Sequence, residues 1–203
     1  MGGDPGGEMV YGVNPNLGDD LDVGPDWINA PLGVLRPERA GAGFPAEMSK
    51  PILDFSRILA HRPAYRSTPL QECYEFGSNW IVSETLWTTL SSVDPTGFQA
   101  VPAEVRMWDG SIGPSYWLAT LTRISDCFNE QRSRENGVRI SENGTPTIGI
   151  TAPSIFNVAA LGDAMFFRPT QHKLTCLCTE RARASLLDAG HARFHFRAIG
   201  RLV

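Results

Sequence analysis

Near the C-terminus, two cysteines and two histidines are the residues whose types most readily suggest chemistry. Cys176 and Cys178 are one residue apart, and His191 and His195 follow shortly after. On a strand, Cys-x-Cys sets both thiols on one face, and His-x3-His does the same for the imidazoles. A structural zinc site usually draws Cys-x2-Cys, or His-x3-His, from a turn or a helix. Gly190 and the alternation of His195 with Phe194 and Phe196 argue against a helix here. Buried thiols and half-exposed strand histidines are the preferred reading, with no metal and no cofactor expected. A nucleophile needs a base beside it. Cys127, close to Asp126, and His172 are available for that, but no spacing selects them. The chain has no G-x-S-x-G elbow, P-loop, G-x-G-x-x-G or H-E-x-x-H sequence. No catalytic residue is assigned; a small enzyme of unrecognised class, using Cys127 or a histidine, stands as the alternative.

Charge gives a second kind of candidate. Asp19, Asp20, Asp22 and Asp26 cluster in a Gly-, Pro- and Asn-rich N-terminal stretch. A solvated acidic arm is the plain reading of such a run, and a partner-binding face is the functional one. From Ala164 onward, seven basic residues meet only Glu180 and Asp188 as acids. Arginines alternating with Phe194 and Phe196 resemble a nucleic-acid face, but alternation would turn the rings inward, so intramolecular pairing is preferred. The net charge of −4 also argues against a nucleic-acid ligand.

With 203 residues, 42% hydrophobic and 20% charged, the chain fits an ordinary soluble domain. No apolar run nears the roughly 18 residues of a membrane span. The N-terminus lacks the basic and apolar regions of a secretory signal. Four cysteines do not make a disulfide scaffold, so a reducing cytoplasm is the expected location.

The elements that would position these residues centre on Trp80–Glu104. Trp80, Ile81 and Val82 are β-prone, and Ser83 is placed to cap a helix with Glu84 in its first turn. Leu86, Trp87, Leu90 and Val93 give that helix its inner face, Asp94-Pro95 stops it, and Phe98–Met107 returns as a strand. Shifted by 96 positions, the grammar repeats: Leu177 for Ile81, Thr179 for Ser83, Glu180 for Glu84, Leu186 for Leu90, Phe194 for Phe98. That repetition makes Ser83 and Glu84 a cap and a dipole partner rather than a nucleophile and its base.

Elsewhere, short strands are expected at 51–55, 71–76, 116–121, 138–141, 147–151, 165–168 and 174–178. Val10 and Tyr11 would form the tip of a short edge strand, and Pro102 points to an edge position or a strand end. A short helix is expected within 124–137 and a helix or buried irregular segment at 154–161. The fold class is mixed α/β (α+β): antiparallel strands with two prominent helices, built on two strand–helix–strand units. Residues 1–26 would be a flexible acidic arm and residues 27–203 a single domain.

Several of these segments, taken in order, resemble a known family. They are Pro51-Ile-Leu-Asp-Phe, Ile81-Val82-Ser83-Glu84 with Leu86 and Leu90, and Phe98 with Pro102. Asp126-Cys-Phe-Asn-Glu-Gln-Arg-Ser133, Phe166-Phe167-Arg168 and Gly190 to Phe196 follow. From about Pro51 onward the chain resembles immunity-protein family eleven of bacterial polymorphic toxin systems, formerly a domain of unknown function. The family favours an Asp-x-Leu-Asp type core where this chain has Asp126, Phe128 and Asn129, so that segment matches in part. The resemblance implies a cytoplasmic, non-catalytic protein that binds and neutralises a cognate toxin domain, and it carries over no active-site residue. A regulatory accessory of a secretion system is a further alternative. Asp19, Asp20, Asp22 and Asp26 are the only binding residues expected, on charge alone.

Overall fold

A computed structural model describes residues 7–15, 25–31, 40–56, 70–142 and 144–203. The chain divides into two compact units, Asn14–Thr122 and Met1–Val13 with Arg123–Val203. Each is built on a six-stranded sheet, and the described residues also hold four α-helices, so the fold is mixed α/β.

The sheet of residues 14–122 contains β2 (Asp26–Trp27), β3 (Ile52–Asp54), β4 (Cys73–Phe76), β5 (Asn79–Ser83), β6 (Phe98–Arg106) and β7 (Tyr116–Leu121). Their order is β2-β3-β6-β7-β5-β4, antiparallel throughout except where β3 runs parallel to the end of β6. Helix α1 (Glu84–Val93) leaves β5 directly. Ser83, in an extended conformation, accepts from the Leu86 amide at 3.3 Å, satisfying one of the first-turn donors. Leu86 and Leu90, one helical turn apart, are fully buried. The core collects Trp27, Leu53, Phe55, Tyr74, Ile81, Val105, Tyr116 and Leu118. Phe55, Tyr74 and Tyr116 pack at centroid separations of 5.5–6.2 Å, in the range that aromatic rings favour. Burial drives the Tyr116 hydroxyl pKa well above its usual range, and that hydroxyl donates to the Gln71 carbonyl.

Pro102 lies inside β6, which has a neighbour on each side, yet it occupies a local edge position as expected. The proline is tolerated because β3 pairs only with Glu104–Arg106, leaving residue 102 with β7 alone.

The other sheet holds β1 (Met9–Pro15), β8 (Ile124–Ser125), β9 (Ser154–Phe156), β10 (Phe166–Pro169), β11 (Leu177–Thr179) and β12 (Phe194–Leu202) in the order β8-β10-β11-β1-β12-β9. Helices α2 (Glu130–Glu135), α3 (Val158–Leu161) and α4 (Glu180–Asp188) join them. Thr179 caps α4 by accepting from the Ala182 amide at 3.3 Å, and Gly190 follows its end at φ +88°, where a side chain would be strained. Val10, Cys127, Phe128, Phe156, Phe167, Leu177, Ile199 and Leu202 form the core.

Three expectations change in this unit. Val10 and Tyr11 belong not to an edge strand but to an interior one, with β11 on one side and β12 on the other. The Gly-, Pro- and Asn-rich surroundings hid this, although Val10 and Val13 are fully buried. Among the described residues, 138–151 hold no strand: a bridge joins Ile140 to Pro146, and hydroxyls of Ser141, Thr147 and Thr151 tie the turns. Of the segment 154–161, Val158–Leu161 is the expected helix, but Ser154–Phe156 is a strand parallel to β12.

The β9–β12 pair approaches closely. A Cβ at Gly200 would strike the Ser154 carbonyl oxygen and sit 2.8 Å from the Phe156 ring. Gly200→Ala is expected to cost ~1–3 kcal/mol through the forced backbone shift. A urea unfolding curve checks this, and an unchanged midpoint would refute the close packing.

Candidate interaction site

The residues that first looked like a metal set do not converge. Cys176 and Cys178 are both buried, while His191 is buried just before β12 and His195 faces solvent within it. The two histidines thus differ in exposure instead of sharing a half-exposed face. Among the described residues, no group of three or more His, Cys, Asp or Glu side chains is placed to hold a metal ion.

Cys127 is fully buried, and loss of solvent pushes its thiol up to about 11. Burial also raises Cys178 well above the ordinary thiol range. Such thiols are poor nucleophiles at neutral pH, because only the thiolate reacts. Folding holds Cys127 protonated, so its contribution to stability is complete below the ordinary thiol value of 9.0 and falls as pH rises towards 11. An alkylating reagent at pH 8 is expected to leave Cys127, Cys176 and Cys178 intact in the folded chain and to label them once it unfolds. Mass spectrometry reads the outcome.

Charge divides unevenly between the units. Residues 14–122 carry thirteen acidic and seven basic side chains, whereas residues 1–13 and 123–203 carry nine and eleven. Asp26 lies in β2, half-buried and opposite Asp54 of β3. Asp19, Asp20 and Asp22 fall outside the described residues, so only Asp26 of that set is placed. In the second unit the basic cluster is partly internal. Arg168 is buried, with Nη1 donating to the Lys173 and Leu174 carbonyls at 2.8 and 3.1 Å. Arg183 pairs with Glu180 at 2.8 Å and lies over the Tyr11 and Phe196 rings at 5.1 and 5.8 Å. Glu8 accepts from the Arg181 amide at the start of α4, where a carboxylate suits the helix dipole.

The turn between β6 and β7 presents apolar surface that the sequence reading did not single out. Trp108 is 44% and Ile112 84% exposed, on either side of Asp109-Gly110-Ser111. The turn is closed by Met107 N–H to the Ser111 carbonyl at 2.9 Å and Gly113 N–H to the Val105 carbonyl at 2.9 Å. Asp109 Oδ1 accepts from the Ser111 amide at 2.9 Å and its hydroxyl at 2.6 Å, which lowers the carboxyl pKa. Gly110, at φ +81° with open space around it, completes the tight turn. An ordered tip with an exposed tryptophan, an exposed isoleucine and an ionised carboxylate has the composition of a protein-binding anchor. The signal available in the sequence was two large apolar residues flanking a turn that is ordinarily polar throughout.

A depression of about 520 Å³ opens in the second unit, lined by residues of the 141–150 turns with His172, Thr175, Arg197 and Ile199. His172 Nδ1 is 2.6 Å from Thr175 Oγ1. Among the described residues, the lining places no Asp and no Cys beside that histidine. Among the described residues, no helix is long and apolar enough to cross a membrane.

A search of curated proteins gave no match. A family model, described as Immunity protein family (Imm11), matches residues 12–201. The match starts within β1, well before the Pro51 at which the sequence resemblance began, which fits a first strand that is integral to its sheet. Since it spans nearly the whole chain, the protein belongs to the Imm11 immunity protein family.

Proposed function

We propose that this protein is a non-catalytic immunity protein of the cytoplasm, which binds and neutralises a cognate toxin domain of a polymorphic toxin system. The family match over residues 12–201 carries this reading. Two features of residues 14–122 support a protein partner with a basic surface. One is the excess of acidic side chains in that unit. The other is the ordered tip with Trp108, Asp109 and Ile112, whose apolar area would fill a cleft while its carboxylate meets a cation.

On this reading Asp19, Asp20, Asp22 and Asp26 belong to the partner-binding face and act through long-range attraction. Rim charges of this kind govern encounter more than residence. The triple variant Asp19→Asn, Asp20→Asn, Asp22→Asn is expected to slow association with the toxin about tenfold at low salt, with dissociation little changed. Surface-immobilised binding at two ionic strengths measures both rates. An affinity equal to that of the parent at low salt removes these residues from the site.

Capture on the tagged protein from its native cells, followed by identification of the bound chain, tests the proposal. A toxin domain whose lethality the protein suppresses on co-expression supports it. Hydrolase or transferase activity in the purified protein, with no such partner, contradicts it.

A further inference from the structure

We infer that the two compact units are copies of one fold, and that β1 occupies in one copy the place that β7 occupies in the other. The offset of 96 positions noted in the sequence reappears in the hydrogen-bonded register. β6 runs Phe98–Arg106 and β12 runs Phe194–Leu202, nine residues each. The last three residues of each pair in parallel with a three-residue strand: Glu104 with Ile52 through Arg106 with Asp54, and Gly200 with Ser154 through Leu202 with Phe156. Ile81 and Val82 pair with Tyr74 and Cys73, as Leu177 and Cys178 pair with Phe167 and Phe166. A one-residue slip would reverse every side chain, so agreement at each step is a demanding match.

The remaining neighbour completes the correspondence. Ser83, Val82 and Ile81 pair with Tyr116, Trp117 and Leu118 of β7. Thr179, Cys178 and Leu177 pair with Val10, Tyr11 and Gly12 of β1. Accordingly β7 lies between β5 and β6, and β1 between β11 and β12. Side chains follow the same scheme. Trp117 Nε1 donates to Glu84 at 2.7 Å, and the Tyr11 hydroxyl hydrogen-bonds with Glu180. Trp87 stacks on Trp117 at 5.5 Å, and Arg183, at the equivalent position, lies over Tyr11. Both helices begin with a hydroxyl cap followed by glutamate.

The correspondence covers five strands of each sheet; the sixth lies on opposite sides, β2 beside β3 but β8 beside β10, and the chain order also differs. β7 follows β6 through residues 107–115, but β1 precedes every other strand of its sheet. The Leu202 amide donates to the Glu8 carbonyl at 2.8 Å, so the end of β12 already runs beside the start of β1. One copy is therefore a circular permutation of the other, with its central strand delivered from the N-terminal side. This accounts for an interior strand so near the start of the chain.

A permutant of the full chain tests this. Val203 is fused to Met1, so that residues 1–8 join β12 to β1, and the chain is opened between Gly18 and Asp19. The permuted chain is expected to melt within about 5 °C of the parent and to keep amide-exchange protection in both sheets. Failure to fold overturns the inference. A second chain lacking residues 1–13 separates a strand from a mere appendage. It is expected to lose protection at Leu177–Thr179 and Phe194–Leu202 while Asn79–Ser83 and Phe98–Arg106 keep theirs. Protection unchanged throughout, or lost equally from both sheets, contradicts the inference.

Discussion

Replacing Trp108 by Ala and Ile112 by Ser together is expected to weaken toxin binding by about 30-fold or more. That is the effect of losing one contact of ~2 kcal/mol, the scale of an anchoring tryptophan at an interface centre. Ile112 is 84% exposed, so its replacement removes little buried area, whereas Trp108, at 44%, keeps part of its surface against the fold. The turn itself is held by backbone bonds from Met107 and Gly113 and by Asp109, none of which the double variant removes. Calorimetric titration of the captured toxin domain measures the loss, and the melting curve of the variant shows that the scaffold survives. Parent-like affinity would place the contact surface elsewhere without touching the immunity assignment, which rests on the family match.

The largest expected effect on stability lies in the other unit. Phe156 is fully buried, meets Phe128 at 6.1 Å and Phe167 at 5.9 Å edge to face, and hydrogen-bonds through its carbonyl to the Val203 amide. Phe156→Ala removes that payload and leaves a cavity between Phe128, on the segment bridged to residue 156, and Phe167 of β10, which cannot both close in. The cost is expected to be ~3–5 kcal/mol. In a chain of this size each kcal/mol moves the midpoint roughly 2–4 °C, so melting should fall by ~6–20 °C. A fall of only a degree or two would mean that the site collapses onto itself and that this core is looser than its aromatic packing implies.

Much of the local structure was legible because it rests on short-range chemistry. Ser83 and Thr179 were read as caps from residue type and position, and the structure shows each accepting from an amide three residues on. Tyr116–Leu121 was bounded correctly by its run of β-prone residues, as were Ile52–Asp54 and Cys73–Phe76 within a residue or two. What escaped is non-local. β1 is interior because β11 and β12 accept its ladder, a pairing across more than 160 positions that no window of sequence displays. Residues 138–141 and 147–151 were read as strands, yet hydroxyl–backbone bonds of Ser141 and Thr147 compete there and hold turns instead. Arg168 was counted among basic residues expected to pair within the chain, and it is buried with its guanidinium donating to two backbone carbonyls.

The candidate site was less legible than the fold. Acidic residues near the N-terminus stood out by clustering, and of them the structure places Asp26 alone. Trp108 and Ile112 did not stand out, because only three-dimensional exposure tells an anchor from a core residue. Cys127 and His172 invited a catalytic reading that burial of the thiol and the lining around the histidine do not support.

The central claim is neutralisation by binding, and the most direct measurement is protection. The captured toxin domain is expressed from an inducible promoter in cells that carry or lack this protein, and survivors are counted. Full-length protein is expected to restore growth and to co-purify with the toxin as a stable complex. Cells that die equally with and without it, or survive although no complex forms, would contradict the account.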